Sequence, residues 1–153
     1  MPTYYANDLI FDIPDTLKDQ TTHILTVNED GPSPFNITIA RKTIAPDETL
    51  QAFAEQLSQE LPKALPGFKL YARKEIGIAN QPAIQFDYQW ESEGKKLLQR
   101  QVGLIVALPD GARRFIQITA TAAEVFTAEH VQLFGQLLTT LRLRQTDAAH
   151  RDA

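Results

Sequence analysis

The side chains that could carry chemistry in this chain are few and scattered. His23, His130 and His150 are far apart, and patterning puts them on a strand, at a helix start and in a polar tail. Imidazoles so distributed do not make the clustered ligand set that a metal ion needs. There is no cysteine, which excludes disulfides, thiolate metal sites and a thiol nucleophile. The 7 glycines form neither GxGxxG nor GxxxxGK, and GxSxG and HExxH are absent, so no phosphate cradle, nucleophile elbow or zinc helix is written into the chain. Asp87 is a lone acid among glutamines. General acid–base work needs a second positioned group, and the expected place of Asp87 is a solvated strand. No catalytic residue, metal site or cofactor is expected, and the chain does not read as an enzyme.

Amides and hydroxyls, by contrast, recur at the two-residue period of a strand. Asn36, Thr38 and Ala40 alternate with Phe35, Ile37 and Ile39; Thr22, Ile24 and Thr26 alternate with His23, Leu25 and Val27; Gln117, Thr119 and Thr121 alternate with Ile116 and Ile118. Residues 83–108, AIQFDYQWESEGKKLLQRQVGLIVAL, read as a long hairpin broken at Glu91-Ser92-Glu93-Gly94, where Gly94 can supply the positive φ of a tight turn. With residues 92–94 at the bend, Ile84, Phe86 and Tyr88 pair with Val102, Arg100 and Leu98 on a core face. Ala83, Gln85, Asp87, Gln99, Gln101 and Gly103 then form the opposite, polar face.

Collected on one surface, the amides and hydroxyls make a polar face with almost no charge, whereas a face meant only for water carries Lys and Glu. Small side chains with Ser, Thr, Asn and Gln are also what lets transmembrane helices pack closely. Such a face suits the holding of apolar helices that would otherwise aggregate in water.

To present that face, the rest of the chain must fold behind it. Residues 4–13, 21–27, 35–41, 68–78 and 113–121 read as strands, punctuated by Pro14-Asp15, Glu29-Asp30-Gly31-Pro32, LPGF at 65–68 and Pro109-Asp110-Gly111. Pro46-Asp47-Glu48 reads as an acidic helix start, with Leu50, Phe53, Ala54, Leu57 and Leu61 on one stripe and an end near Pro62. Gln56 lies one residue off that stripe, within reach of the polar face's rim. Thr127 is placed to cap a second helix whose Val131, Phe134, Leu137, Leu138 and Leu141 form an apolar stripe. Strands thus come as a block of three and a block of four, each followed by a helix, with links too short for parallel crossovers between neighbours. The expectation is an α+β fold: a twisted antiparallel sheet with both helices on one face, as one domain over 1–144 and a flexible tail over 145–153.

Composition bounds the function. At 153 residues, 43% hydrophobic and 22% charged, the chain suits one domain with a single core, and its formal charge of -4 argues against nucleic acid. No apolar run reaches the ~18 residues that span a bilayer. The N-terminus MPTYYANDLIFD lacks a basic n-region and a long h-region, so the expected location is the cytoplasm without membrane insertion.

The run DIPDTLKDQTTHIL, then LPGFKLYARKEIGI, and above all AIQFDYQW followed by LLQRQVGLI, resembles the DcrB-related family, and within it the Eag chaperones associated with type VI secretion effectors. The resemblance covers residues from about 7 to 143. It implies a PsbP-like α+β fold, a cytoplasmic homodimer and no catalysis. It also implies a client, the N-terminal apolar helices of an effector with a spike-tip (PAAR) domain, shielded until the effector is loaded onto the secretion spike. Thr22, Ile24, Asn36, Thr38, Ala40, Gln56 and Gln101 match the family's client-binding face, the same face that parity gives. This chain departs from its relatives at Thr22 and Thr38, where they carry aliphatic residues, and at Asn36 and Ala40, where they carry serines. The alternative is a small-ligand binding or sensing module of the broader family.

Overall fold

The computed structural model describes residues 3–31, 33–108 and 111–144. In chain order the elements are β1 (Thr3–Tyr5), β2 (Ile10–Asp12), β3 (His23–Thr26), β4 (Phe35–Ile44), α1 (Leu50–Ala64), β5 (Lys69–Ile78), β6 (Gln81–Ser92), β7 (Lys95–Ala107), β8 (Arg113–Ala123) and α2 (Ala128–Thr140). Six strands form one antiparallel sheet in the order β3-β4-β8-β7-β6-β5, while β1 and β2 pair only with each other. The expected single strand over 4–13 is therefore a small ribbon folded back on itself, with Tyr4 opposite Phe11. The tail over 145–153 lies outside the described residues.

The central hairpin closes more tightly than a three-residue bend. Only Glu93 and Gly94 separate β6 from β7, with φ of 52° and 78°, the two left-handed residues that a type I′ turn requires. Ser92 then pairs with Lys95, Phe86 with Gln101 and Ile84 with Gly103. The register expected from the sequence is off by one residue, and a one-residue slip moves every side chain to the other face. Ile84, Phe86 and Tyr88 accordingly share a face with Gln99, Gln101 and Gly103. Gln85 and Asp87 lie on the reverse face beside Val102 and Arg100.

The helices do not share a face, which corrects the sequence expectation. Ala54 of α1 packs with Ile84, Phe86 and Tyr88, joined by Leu50, Leu57 and Leu61. Phe134 of α2 packs with Phe35, Ile37, Ala83, Val102, Leu104, Ile118, Ala120 and Ala122, joined by Leu137, Leu138 and Leu141. The reason is in β6 and β7, which between them turn large apolar side chains to both faces, Ile84, Phe86 and Tyr88 of β6 to one and Val102, Leu104 and Val106 of β7 to the other, as a sheet buried on two sides does. An apolar stripe on a helix fixes that it packs on a sheet, not on which side. The path of the chain decides, since α1 is the crossover that carries it from β4, past β8, β7 and β6, to the far edge at β5.

Local chemistry sets the helix ends. Thr49 caps α1, its hydroxyl accepting from the Ala52 N–H at 3.1 Å, and no acid occupies the first turn. The helix runs through Pro62 to Ala64 rather than stopping before it; Pro62 falls in the last turn, where the lost N–H removes one bond only. Thr127 caps α2 as expected. Its hydroxyl accepts from the His130 N–H at 3.1 Å while His130 Nδ1 accepts from the Thr127 N–H at 3.2 Å, a reciprocal box that makes His130 a structural residue. Its ring also stacks on Phe35 with centroids 4.4 Å apart.

The docking of α1 depends on a missing side chain. Phe53 stacks on Phe115 at 4.4 Å and 3°, and Phe115 in turn lies over Gly103, where a Cβ would come within 2.5 Å of its Cζ. Gly103→Ala is expected to lower unfolding free energy by about 1–3 kcal/mol through overpacking. Gly135→Ala in α2, whose Cβ meets nothing within 4 Å, is expected to raise it by about 0.5–1 kcal/mol; urea titrations read the opposite signs. Glu93→Asn, at a position with positive φ, is expected to add about 0.5–1 kcal/mol by relieving the left-handed penalty.

Candidate functional site

The crossover helix covers only part of its face of the sheet. Its stripe lies over β6, and Phe53 reaches Ile44 and Phe115 at one end of β4 and β8. Beyond that limit the face is floored by β7, β8, β4 and β3 in turn. Gln99 and Gln101 stand opposite Thr121 and Thr119; these stand opposite Asn36 and Thr38; and these stand opposite Thr26 and Ile24. Gln117 and Ala40 form the next rung. No Lys, Arg, Asp or Glu interrupts these rungs. The floor is an uncharged lattice of hydroxyl, amide and methyl groups.

Two glutamines on β7 differ in what they have to spend. Gln99 is used at both ends, accepting from Trp90 Nε1 at 2.7 Å and donating to Thr121 Oγ1 at 2.9 Å. Gln101 is 3% exposed and used at one end, its Oε1 accepting from the Tyr88 hydroxyl at 2.9 Å, while Nε2 is buried without a partner. A buried amide with an idle donor costs about 1–3 kcal/mol relative to a satisfied one. Turning the amide over leaves the oxygen idle instead, so one polar end is unused in either orientation. Burial raises the Tyr88 phenol pKa far above its ordinary value, and the hydroxyl remains a donor across the physiological range.

Of the residues singled out in the sequence, Ile24, Asn36, Thr38, Ala40 and Gln101 belong to this face by strand parity, while Thr22 lies just before β3, without a register partner, and lines a cleft at the sheet margin. Ile24 is 66% exposed, an aliphatic side chain in the open at the rim. Gln56 lies on the exposed side of α1 and donates to Glu60 Oε1 at 2.8 Å. Gln101 is not on an open surface as expected but sunk beside the α1-covered half. Gln85 and Asp87 do not belong here. Gln85 is buried on the α2 side and donates to Asp87 at 3.2 Å, and Asp87 takes a two-pronged contact from Arg100, at 2.9 and 3.2 Å. Asp87 is therefore an ion-paired residue, not a solvated one. Tyr88, which reads from the sequence only as a core residue, and Trp90, which the sequence does not single out, hold the two glutamines; their signal is a polar tip on a large ring opposite an amide.

Among the described residues the histidines do not assemble a centre: His23 Nδ1 faces Arg41 Nη1 at 3.2 Å, and His130 is spent on its cap; His150 lies outside the described residues. Among the described residues no helix is long and apolar enough to cross a membrane.

Comparison with known proteins agrees with this architecture. The DcrB family profile matches residues 9–140. The Pseudomonas aeruginosa protein named Effector EagT6 is 31% identical over 147 residues, covering 95% of this chain and 99% of that one. The crystal structure of PA94, a P. aeruginosa protein of unknown function, superposes with a TM-score of 0.76 at 29% identity, over 95% of this chain and 99% of its own. LpqN of Mycobacterium tuberculosis, involved in cell envelope biogenesis, shares the fold at a TM-score of 0.57 and 18% identity, over 85% of this chain and 79% of its own. The chain therefore belongs to the DcrB family and is a relative of EagT6 over nearly the whole length of both.

Proposed function

We propose that this protein is a cytoplasmic, client-specific chaperone that shields the N-terminal apolar helices of a PAAR-containing type VI secretion effector until the effector is loaded onto the spike. Kinship with EagT6 supports an effector-associated role. The observation that carries the reading is the idle amide of Gln101 set in an uncharged floor of hydroxyls. A floor of this kind matches a guest that is mostly apolar and has an occasional polar group in need of a partner.

In the proposed mechanism two copies face each other and their bare half-faces form a cradle. Ile24 and the methyl groups of Thr22, Thr38 and Ala40 remove apolar helix surface from water, worth about 2.5 kcal/mol per 100 Å2 covered. Gln101, Asn36 and Gln56 bond polar groups on the client and so fix its register, since an unmatched polar group under an apolar helix is costly. Chemistry is no part of the role: the chain binds and releases.

Truncating Gln101 alone leaves the buried Tyr88 hydroxyl without an acceptor, so the informative variant changes both. Tyr88→Phe with Gln101→Leu replaces the pair by apolar groups of similar shape, which is nearly neutral for stability. With Asn36→Ala added, the melting temperature is expected to stay within about 4 °C of wild type, while retention of a PAAR effector with N-terminal apolar helices in co-purification falls about tenfold. An undiminished complex would remove Gln101 and Asn36 from the client site. Wild-type protein that carries a small molecule on this face, and fails to keep an apolar effector segment soluble, would point instead to a ligand-sensing module.

A further inference from the structure

At the margin of the sheet lies a polar cleft of about 1040 Å3, bounded by the β1 ribbon, the segment entering β3, the end of β4 and the chain after α2. Lys18, Arg41, Lys42, Arg114 and Arg144 line it, against one carboxylate among the described residues, Asp19. The chain has 15 Lys and Arg and a formal charge of -4, so a third of its cations gather at one place on an acidic protein. Register makes the cluster: Arg41 and Arg114 fall on the α2 side of β4 and β8, with Lys42 on the other. The cations therefore wrap the margin of the sheet.

Of these, Lys18, Arg41, Lys42 and Arg114 form no ion pair with a described carboxylate. Among the described residues the ion pairs are Arg73 with Glu55 and Arg100 with Asp87, neither of them in the cleft. Arg41 donates to the Thr21 carbonyl at 3.5 Å and meets His23 Nδ1 at 3.2 Å, and Lys18 donates to the Asp15 carbonyl at 3.3 Å. Asp19 is taken up by Thr21, whose hydroxyl and N–H both donate to it. The Thr21 hydroxyl is the main reason its carboxyl sits below the usual range, with Arg114 a minor one. Lys18, Arg41, Lys42 and Arg114, drawn together around the single described carboxylate of Asp19, carry more positive charge than it can balance and call for an anion from outside.

We propose that this cleft binds a run of carboxylates, an acidic polypeptide segment held by the arginine forks. Arginine pairs carboxylate two-pronged, and the lining contains no glycine and no helix N-terminus, the sources of backbone N–H with which phosphate sites are built. The cleft is continuous with the proposed client face through Thr22, which lines it. The acidic segment is therefore assigned to sequence flanking the client's apolar helices. That choice of source rests on the chaperone reading; the carboxylate chemistry does not.

The probe is a fluorescently labelled hexaglutamate peptide, read by anisotropy on the intact chain at low ionic strength. Saturable binding is expected, weakened at least about tenfold by R41Q/R114Q and changed less than about twofold by K63Q/K95Q, which removes equal charge from exposed sites outside the cleft. K42Q/R114Q, which spares the Arg41 hydrogen bonds, is expected to repeat the loss in case R41Q/R114Q melts early. Absence of saturable binding, equal loss in the control pair, or pyrophosphate that binds the cleft more tightly than hexaglutamate would each overturn the proposal. Retention of an apolar effector segment, measured on the same variants, separates the two readings. Failure of the cradle leaves peptide binding intact, and failure of the cleft leaves apolar retention intact.

Discussion

A side chain on a strand has two directions available, and in this protein the pairing of Ser92 with Lys95 decides the direction for the whole sheet. Once Glu93 and Gly94 close the turn, Gly103 falls beneath Phe115, Phe115 meets Phe53, and α1 has a place to land. The same register sets Tyr88 and Gln101 on one face, where they bond, and Asp87 with Arg100 on the other, where they pair. No later packing could rescue a slipped hairpin, because it would bury Asp87 against α1 and turn Phe86 toward α2.

The two faces that follow have unequal cover. On the α2 side one continuous cluster runs from Phe35 to Leu104 under Phe134. On the α1 side two smaller clusters form, around Ala54 and around Phe53, and the rungs from Gln99 across to Ile24 lie outside both. What would be a defect in a core is chemically consistent as a surface, since its residues are hydroxyls, amides and methyls. Apolar side chains of β3 remain in the open, Ile24 and Leu25 among them, an expense for a lone domain and an asset for a binding one.

Much of this was legible in the sequence, and the failures have physical causes. Parity was readable in residues 35–41, 21–27 and 113–121 because each is a short run with clean alternation, so Asn36, Thr38 and Thr119 were assigned to one face correctly. The hairpin was misread because Glu93 carries no mark of the positive φ it adopts, and bends of two and three residues both end plausibly at Gly94. Gln85 and Asp87 were misplaced with it. Strand parity puts Gln101 on the correct surface even with β7's partners mistaken, but parity carries no sign that it is sunk there with one end idle. Pro62 misled as a stop because a last-turn proline loses one bond rather than a helix. The side on which each helix packs was not written in either stripe.

Strands β5, β6, β7 and β8 follow one another as a meander, each beside its predecessor, whereas β4 finds its main partner only in β8. On a ribosome the chain emerges from the N-terminus, so residues 35–44 must wait, unpaired on that side, until β8 has been made. A nascent chain that has not reached β8 consequently has no floor to offer. The floor comes into being only with β8, when Ala122 meets Phe35 and Thr119 meets Thr38, and a copy cut short before β8 is denied the proposed cradle by topology alone.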